Sequence, residues 1–450
     1  MEFLDTISPI DNRYFDKVSE MKFYFSYKSW IKYRILVELK YFKLLYETIP
    51  ELYNSDITKD RLNKFINISI TNQDILDIIE IEKTTHHDIK SIEIWLRNRY
   101  DNLKIGSPHW KEYIHFGLTS QDINSIAFSL QLYNSITFVM IPIMDNIIDT
   151  IYDKWNNVKI PLLALTHGQP AIPTTLGKEM MVFKCRLEYI YNKIHDHKFK
   201  TKIGGAVGTL NAHYIAYPNI DWNKIMDKFC KDMCFERWQY TTQITNYEDI
   251  CYISSLIVMF NNILIDFCQD IWLYISRKIF ILRKESEDQV GSSTMPQKVN
   301  PIDFENAEGN LKISNAGLNL IIEKLPISRL QRDLTDSTVL RNYGVYLSHS
   351  LLAYKSILKG ICKLSPNKDT IFKELNEHPE ILGEAIQILM RKYGIPDAYN
   401  IIRKASQNKT YSDINEYKKQ IIDTIRDTVD TADTADNIIN EILKLDFTNY

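Results

Sequence analysis

A chain of 450 residues, 45% hydrophobic and 25% charged, has ordinary globular composition, with length enough for two or three domains, which excludes disorder. Its formal net charge of −3 gives no general attraction to nucleic acid or to an acidic membrane surface. With only 14 glycines and 14 prolines to interrupt it, the chain favours long helices over many short strands, and an all-α class is expected.

The start, MEFLDTISPIDNRYFDKVSE, carries acids and no apolar core, so it does not read as a signal peptide. Residues 1–110 read as a mixed helical region ending at Gly106-Ser107-Pro108. Residues 111–363 hold the longest periodic stretches. Ile136, Ile143, Ile147 and Ile151 share one helical face, with a kink expected at Pro142. Leu256, Ile257, Phe260, Ile263, Leu264, Phe267 and Ile271 share another. The apolar run from Ile253 to Ile265 is interrupted by Asn261 and Asn262 and reads as too short and too polar to span a bilayer. Breaks at 166–177, 204–208 and 291–301 punctuate this central region, and Leu364-Ser365-Pro366 reads as a boundary before a smaller helical region, 364–450. No period-two alternation points to a major sheet. Cys185, Cys230, Cys234, Cys251, Cys268 and Cys362 read as buried free thiols on helices, which suits a reducing, cytoplasmic compartment. No metal-ligand spacing stands out, and no cofactor is expected. Central helices apolar on more than one face must bury against something, and neighbouring subunits would serve.

Polar residues that cannot pack as core gather in a few segments. Gly291 to Pro301 (GSSTMPQKVNP) reads either as a polar turn before a helix near Asp303 or as a loop whose backbone N–H groups reach an anion, with Lys298 and Asn300 adding a cation and an amide. His115 to Asp122 (HFGLTSQD), Thr166 to Pro170 (THGQP) and Pro173 to Lys178 (PTTLGK) are similarly polar. Taken singly, His115 and His167 read more readily as structural than as catalytic. Gly204 to Thr209 (GGAVGT) has the wrong spacing for a dinucleotide fingerprint and suits close helix approach.

These segments resemble the fumarase/aspartase superfamily. Gly291 to Pro301 matches its signature GSSxMPxKxNP, and the HFGLTSQD and THGQP segments appear in the expected order. Within it, Ser8 to Tyr14 (SPIDNRY), Thr84 to Lys90 (TTHHDIK), Tyr240 to Ile244 (YTTQI) and the arginine-rich Leu325 to Arg341 resemble the adenylosuccinate lyase family, closest to its bacterial type. The resemblance covers nearly the whole chain and is weakest at 40–75 and beyond about residue 400. Two positions depart from it: Gln297 stands where the family often has His, and His86 where it often has Asn.

The resemblance implies three helical regions with a central long-helix bundle that tetramerises, active sites shared among three subunits, and β-elimination of fumarate from a succinylated purine nucleotide. It places Ser292 as general base, with Ser293 a substrate donor or the alternative base, and His167 as general acid. Lys298, Asn300 and the backbone after Gly291 would stabilise the carbanion. Val299 and Asn306 join the substrate-binding set. Thr119, Ser120 and Gln243 would fix the succinyl group, and His86, His87, Asp88 and His115 would hold substrate. The phosphate would fall to Arg13, Arg332 and Arg341, helped by Tyr14, Ser337 and Thr338; an internal salt bridge from Arg332 to Asp333 or Asp336 is the alternative. Glu305 and Glu308 read as helix-start acids or as residues activating a base. Gln297 keeps argininosuccinate lyase open as a second reading, against the arginine-rich 329–341 segment. An inert helical scaffold is a third.

Overall fold

The computed structural model describes residues 5–283, 295, 297–407, 409–428 and 432–448. As the scarcity of glycine and proline led one to expect, 68% of it is helical. Strands occur among the described residues only as three two-stranded ladders. The chain divides into two compact units. The first comprises Met1–Asp145, Tyr189–Asn262 and Ala307–Lys355, and the second Asn146–Glu188, Ile263–Asn306 and Ser356–Tyr450.

In the first unit, helix α1 (Tyr27–Thr48) starts at Ser26, whose side chain accepts from the Ser29 amide. It buries Ile31, Ile35, Phe42 and Leu45, and with them the charged Arg34 and Glu38. Helix α2 (Asn72–Thr85) opens with a capping box: the Asp74 carboxylate accepts from the Thr71 amide at 2.8 Å, and the Thr71 hydroxyl oxygen accepts from the Asp74 amide. It closes on His86 in the left-handed region, φ 52°. His87 then caps α3 (Asp88–Asn102), its Nδ1 accepting from the Lys90 amide at 3.2 Å. The paired histidines are therefore the joint between two helices. Helix α4 (Ser120–Ser135) begins where Asp122 accepts from the Thr119 amide at 2.8 Å.

The kink expected at Pro142 takes the form of a π-helical turn over Ile136–Met140, followed by the helix Ile141–Trp155. Proline offers no N–H to the carbonyl four residues back, and a widened turn just before it absorbs that loss.

Helix α5 (Glu248–Ser276) is longer than the apolar run suggested. At 29 residues it is long and apolar enough to cross a membrane, as is the stretch Ser120–Trp155, so the expectation of a stretch too short to span fails on length. About half of each apolar window is buried inside the chain's own fold, as in the core helix of a globular protein. The predicted face is buried throughout, from Leu256 to Ile271. Asn261 does not break α5. Fully buried, it donates to Asn315 at 2.9 Å and Ser350 at 3.0 Å and accepts from Tyr354 at 2.6 Å, tying α5 to α6 (Ile302–Lys324) and α7 (Tyr343–Lys363). A satisfied polar knot in an apolar core fixes helix register.

The second unit holds a β-hairpin, β1 (Pro161–Thr166) with β2 (Gln169–Thr175). Leu364-Ser365-Pro366, read as a boundary, pairs antiparallel with Phe280–Leu282. All six cysteines are free, but Cys185, Cys234 and Cys362 are exposed, which corrects the expectation of burial. Cys234 is also off its helix, which ends at Asp232; it sits in a turn with φ 70°.

Candidate active site

The first unit holds a partly open cavity of about 250 Å³, built from five parts of the sequence. Arg34 comes from α1, and His86, His87 and Asp88 from the α2–α3 joint. Ser120 and Gln121 come from the start of α4, Thr245 and Tyr247 precede α5, and Arg332, Ser337 and Arg341 close the wall. Arg34 is buried against the Trp30 ring, donates from Nε to Asn124 at 2.8 Å, and pairs with Asp88 at 2.9 Å. Burial, the largest influence on Asp88, works against its charge, yet Arg34, the Ile89 amide, His87 and Arg341 together hold the carboxyl below its usual range. Three guanidinium groups against Asp88 and Glu82 leave the wall net positive, as an anionic ligand requires.

A buried ion pair organises one edge of this wall. Lys202 and Asp122, both essentially inaccessible, meet at 2.7 Å. Asp122 also accepts from the amides of Thr119 at 2.8 Å, Gly204 at 2.8 Å and Gly205 at 3.0 Å. Lys202 donates in addition to the carbonyls of Gly205 at 2.9 Å and Gln243 at 2.8 Å. The Gln243 amide nitrogen donates to Ala206 at 3.1 Å, and its oxygen accepts from Arg332 at 3.3 Å. Thr119, the glycine run, Gln243 and Arg332 thus form one hydrogen-bonded chain. The glycines permit close approach as expected, but to the irregular segment ahead of α5 rather than a helix: a Cβ on Gly208, φ 77°, would lie 2.1 Å from the Thr241 carbonyl oxygen.

His115 sits beside this chain, held in the left-handed region at φ 63° with Nδ1 2.6 Å from Glu38. Gly117, φ 71°, rests against the His213 ring, where a Cβ would come within 2.6 Å.

Other residues of the second unit carry the expected acid and part of the signature. The Thr166–Gln169 pairing closes the hairpin over two residues, His167 at φ 54° and Gly168 at φ 72°, the backbone of a type I′ turn. His167 is exposed at its tip. Lys298, exposed, Val299 and Asn300 lead into α6. Asn306 accepts from Ser356 at 3.2 Å. Of the helix-start acids, Asp303 pairs with Lys363 at 2.5 Å, Glu305 accepts from Trp272 at 3.1 Å and Glu308 pairs with Lys312 at 2.7 Å. Gly291, Ser292 and Ser293 lie outside the described residues.

The structure therefore brings His86, His87, Asp88, Ser120, Arg332, Ser337 and Arg341 to one cavity and links Thr119 and Gln243 to its wall. Arg13, exposed, and Tyr14 precede the short helix Phe15–Val18 and do not line it; nor does Thr338, exposed on Thr335–Leu340. No Arg332 salt bridge to Asp333 or Asp336 forms: Asp333 pairs with Arg329 at 2.9 Å, and Asp336 accepts from Tyr247 at 2.7 Å. Sequence reasoning missed Arg34, Glu38 and Lys202. For the first two a signal was present, since they fall on the apolar stripe of Ile31, Ile35, Phe42 and Leu45, where a charge needs a partner.

A family model described as lyase matches residues 15–314, and one described as adenylosuccinate lyase C-terminal matches residues 328–450. The adenylosuccinate lyase of Dictyostelium discoideum is 44% identical over 430 residues, 92% of this chain and 91% of that protein. That of Escherichia coli is 42% identical over 424 residues, 93% and 92% of the two chains. In fold, the chain is similar to a fumarate lyase from a Mesorhizobium species, with TM-score 0.71, 15% identity, and 96% and 93% of the chains covered. It is equally similar to the 3-carboxy-cis,cis-muconate lactonizing enzyme of Pseudomonas putida, with TM-score 0.71, 16% identity and 98% and 96% coverage. Both family models, the relatives identical at more than two residues in five, and the helical fold agree: this chain belongs to the adenylosuccinate lyase family of the fumarase/aspartase superfamily.

Proposed function

We propose that the chain is a carbon–nitrogen lyase that releases fumarate from adenylosuccinate, leaving AMP, and by the same step from the succinylated aminoimidazole-carboxamide ribonucleotide. The observation that carries the reading is the net-positive cavity lined by Arg332, Arg341, Ser120 and the His86-His87-Asp88 joint, on a chain 44% identical to an adenylosuccinate lyase. A phosphate and two succinyl carboxylates need fixed cations and hydroxyl donors at separate points, and this wall supplies both.

The reaction removes a proton from the succinyl carbon beside a carboxylate and breaks the carbon–nitrogen bond on the neighbouring carbon. The electron pair of the C–H bond becomes the double bond of fumarate, and the departing nitrogen takes a proton. Ser292 is the base. A serine hydroxyl is a weak base and must be driven by nearby positive charge, which Lys298 supplies. Lys298, Asn300 and backbone N–H groups stabilise the negative charge that builds on the carboxylate. His167 gives its proton to the leaving nitrogen, a task suited to a side chain that exists in both protonation states near neutrality. Arg13 and Tyr14 join the phosphate end, with Val299, Asn306 and Thr338 in supporting contact.

The enzyme works as a cytoplasmic homotetramer with sites shared between subunits. Exposed Ile313 and Leu320 on α6, and Met259, Trp272 and Leu273 on α5, are apolar surface suited to burial against other copies. His167, exposed at a hairpin tip, suits a residue given to such a shared site.

The test is fumarate release from adenylosuccinate, with argininosuccinate run beside it. Rapid release of fumarate and AMP from the first substrate and none from the second is expected. Activity on argininosuccinate alone would overturn the reading and make Gln297 the better guide to substrate.

A further inference from the structure

Helix α1 carries a polar stripe along its buried side. Arg34, Glu38 and Tyr41 are spaced four and three residues apart, so they share one face. Each grips a different part of the site's framework. Arg34 pairs with Asp88 at 2.9 Å, the Tyr41 hydroxyl donates to the Phe116 carbonyl at 2.8 Å, and Glu38 Oε1 lies 2.6 Å from His115 Nδ1. The Glu38 side chain is 0% exposed, and its other oxygen, Oε2, has no hydrogen-bond partner among the described residues. A carboxylate in that position is costly, and packing alone would be served by an apolar side chain. His115 is constrained a second time by its left-handed backbone, φ 63°, a conformation that a residue with a Cβ keeps only where its surroundings enforce it.

We propose that Glu38 is a positioning residue that holds His115 through Nδ1, so that Nε2 is the nitrogen presented to substrate and the ring meets the anionic substrate as a cation. The inference rests on the reading of His115 as a substrate-binding residue. A carboxylate only accepts, so the proton of the 2.6 Å bond belongs to Nδ1. The charges facing His115 agree with this. Burial, the largest single influence, opposes its protonation, but the Glu38 hydrogen bond and the charges of Glu38 on α1, Glu93 on α3 and Asp122 on α4 outweigh it and raise the imidazole above its usual pKa. Glu93 is already paired with Lys90 and Arg97, and Asp122 with Lys202, which leaves Glu38 as the carboxylate committed to His115.

The experiment compares the full-length wild type with Glu38→Gln, His115→Gln and the double variant in steady-state kinetics on adenylosuccinate across pH. Glu38→Gln keeps the shape and an acceptor but removes the charge. With the assembly and circular dichroism unchanged, it should lower kcat/KM by at least about tenfold, as a misaimed binding group does, and move the alkaline limb of the pH profile to lower pH. In the double variant Glu38→Gln should add less than about twofold to the loss caused by His115→Gln, because the two act as one unit. Wild-type rate and pH profile in Glu38→Gln would overturn the proposal, as would losses that multiply in the double variant. If His115→Gln itself behaves as wild type, the reading of His115 fails and the proposal falls with it. Impaired His115→Gln beside unaffected Glu38→Gln defeats the proposal alone. Should Glu38→Gln fail to fold, an NMR titration of the wild-type His115 ring decides: titration above free imidazole supports the pairing, and titration at or below it overturns it.

Discussion

The two units hold the residues proposed to bind and to react in contrasting physical states. In the first, several groups in and beside the cavity wall are braced by buried side chains: Asp88 by Arg34, the start of α4 by Asp122, and Gln243 by Lys202. In the second, His167 stands exposed on a two-residue turn, and Lys298 is exposed ahead of α6. Binding groups gain from being fixed before the ligand arrives, since ordering them on binding would subtract from affinity. The proton donor proposed at His167 must reach a leaving atom that belongs to the substrate, and a hairpin tip suits that reach. The contrast teaches that breaking the buried Lys202–Asp122 pair should fail first in stability, and removing the exposed His167 side chain in turnover.

The largest expected effect sharpens that contrast. His167→Ala should lower kcat by about 10²- to 10⁴-fold, the usual worth of a positioned acid, while leaving the thermal midpoint unchanged, because the side chain is exposed. A shifted midpoint with preserved turnover would reverse the assignment. Lys202→Met should do the opposite. It strands the buried Asp122 and should cost about 3–5 kcal/mol in urea unfolding, as breaking a buried pair by removing one partner does. A loss below about 1 kcal/mol would mean that the amides of Thr119, Gly204 and Gly205 suffice for Asp122.

Acid should also act on the first unit. His213 is fully buried, and burial, partly offset by Asp122, pushes its imidazole down to about 4. The unfolded chain, with an imidazole near 6.5, binds the proton more readily than the folded one. Its contribution is therefore intact above pH 6.5 and is lost as pH falls toward 4, by about 3 kcal/mol over that window. Denaturation midpoints followed across this range should fall more steeply for wild type than for His213→Asn, and equal slopes would refute the linkage. The smallest effect concerns the hairpin. Nothing lies within 4 Å of a Cβ placed on Gly168, so Gly168→Ala meets only the backbone penalty of φ 72°, about 1 kcal/mol. Turnover should fall more than stability, because the same turn aims His167.

How much of this was legible in the sequence differs by feature. The long helices were, because the face from Leu256 to Ile271 keeps its period without a break. The α2–α3 joint and the cavity wall were reached through resemblance, and the structure supplies the reason His86 and His87 stand together: one ends a helix in the left-handed region and the other caps the next. The hairpin was not legible, since Pro161, Pro170 and Pro173 break the alternation that marks a strand. Lys202 was not either, and for Arg34 and Glu38 the apolar stripe marks a buried charge without naming its partner. A buried charge takes its meaning from its partner, and Asp88, His115 and Asp122 lie dozens of residues away in sequence. The exposed cysteines follow the same rule: Cys234 occupies the right spacing for a helix that has already ended.

The central proposal is that a braced binding wall and the proton donor proposed at exposed His167, carried by separate parts of the chain, complete one another between copies. The direct measurement mixes His167→Ala protein with Arg332→Ala protein under conditions that exchange subunits and follows fumarate release from adenylosuccinate. The account predicts that activity returns in the mixture, because some sites then combine an intact wall from one copy with an intact His167 from another. Activity no higher than that of the two parents, with subunit exchange verified, would contradict it.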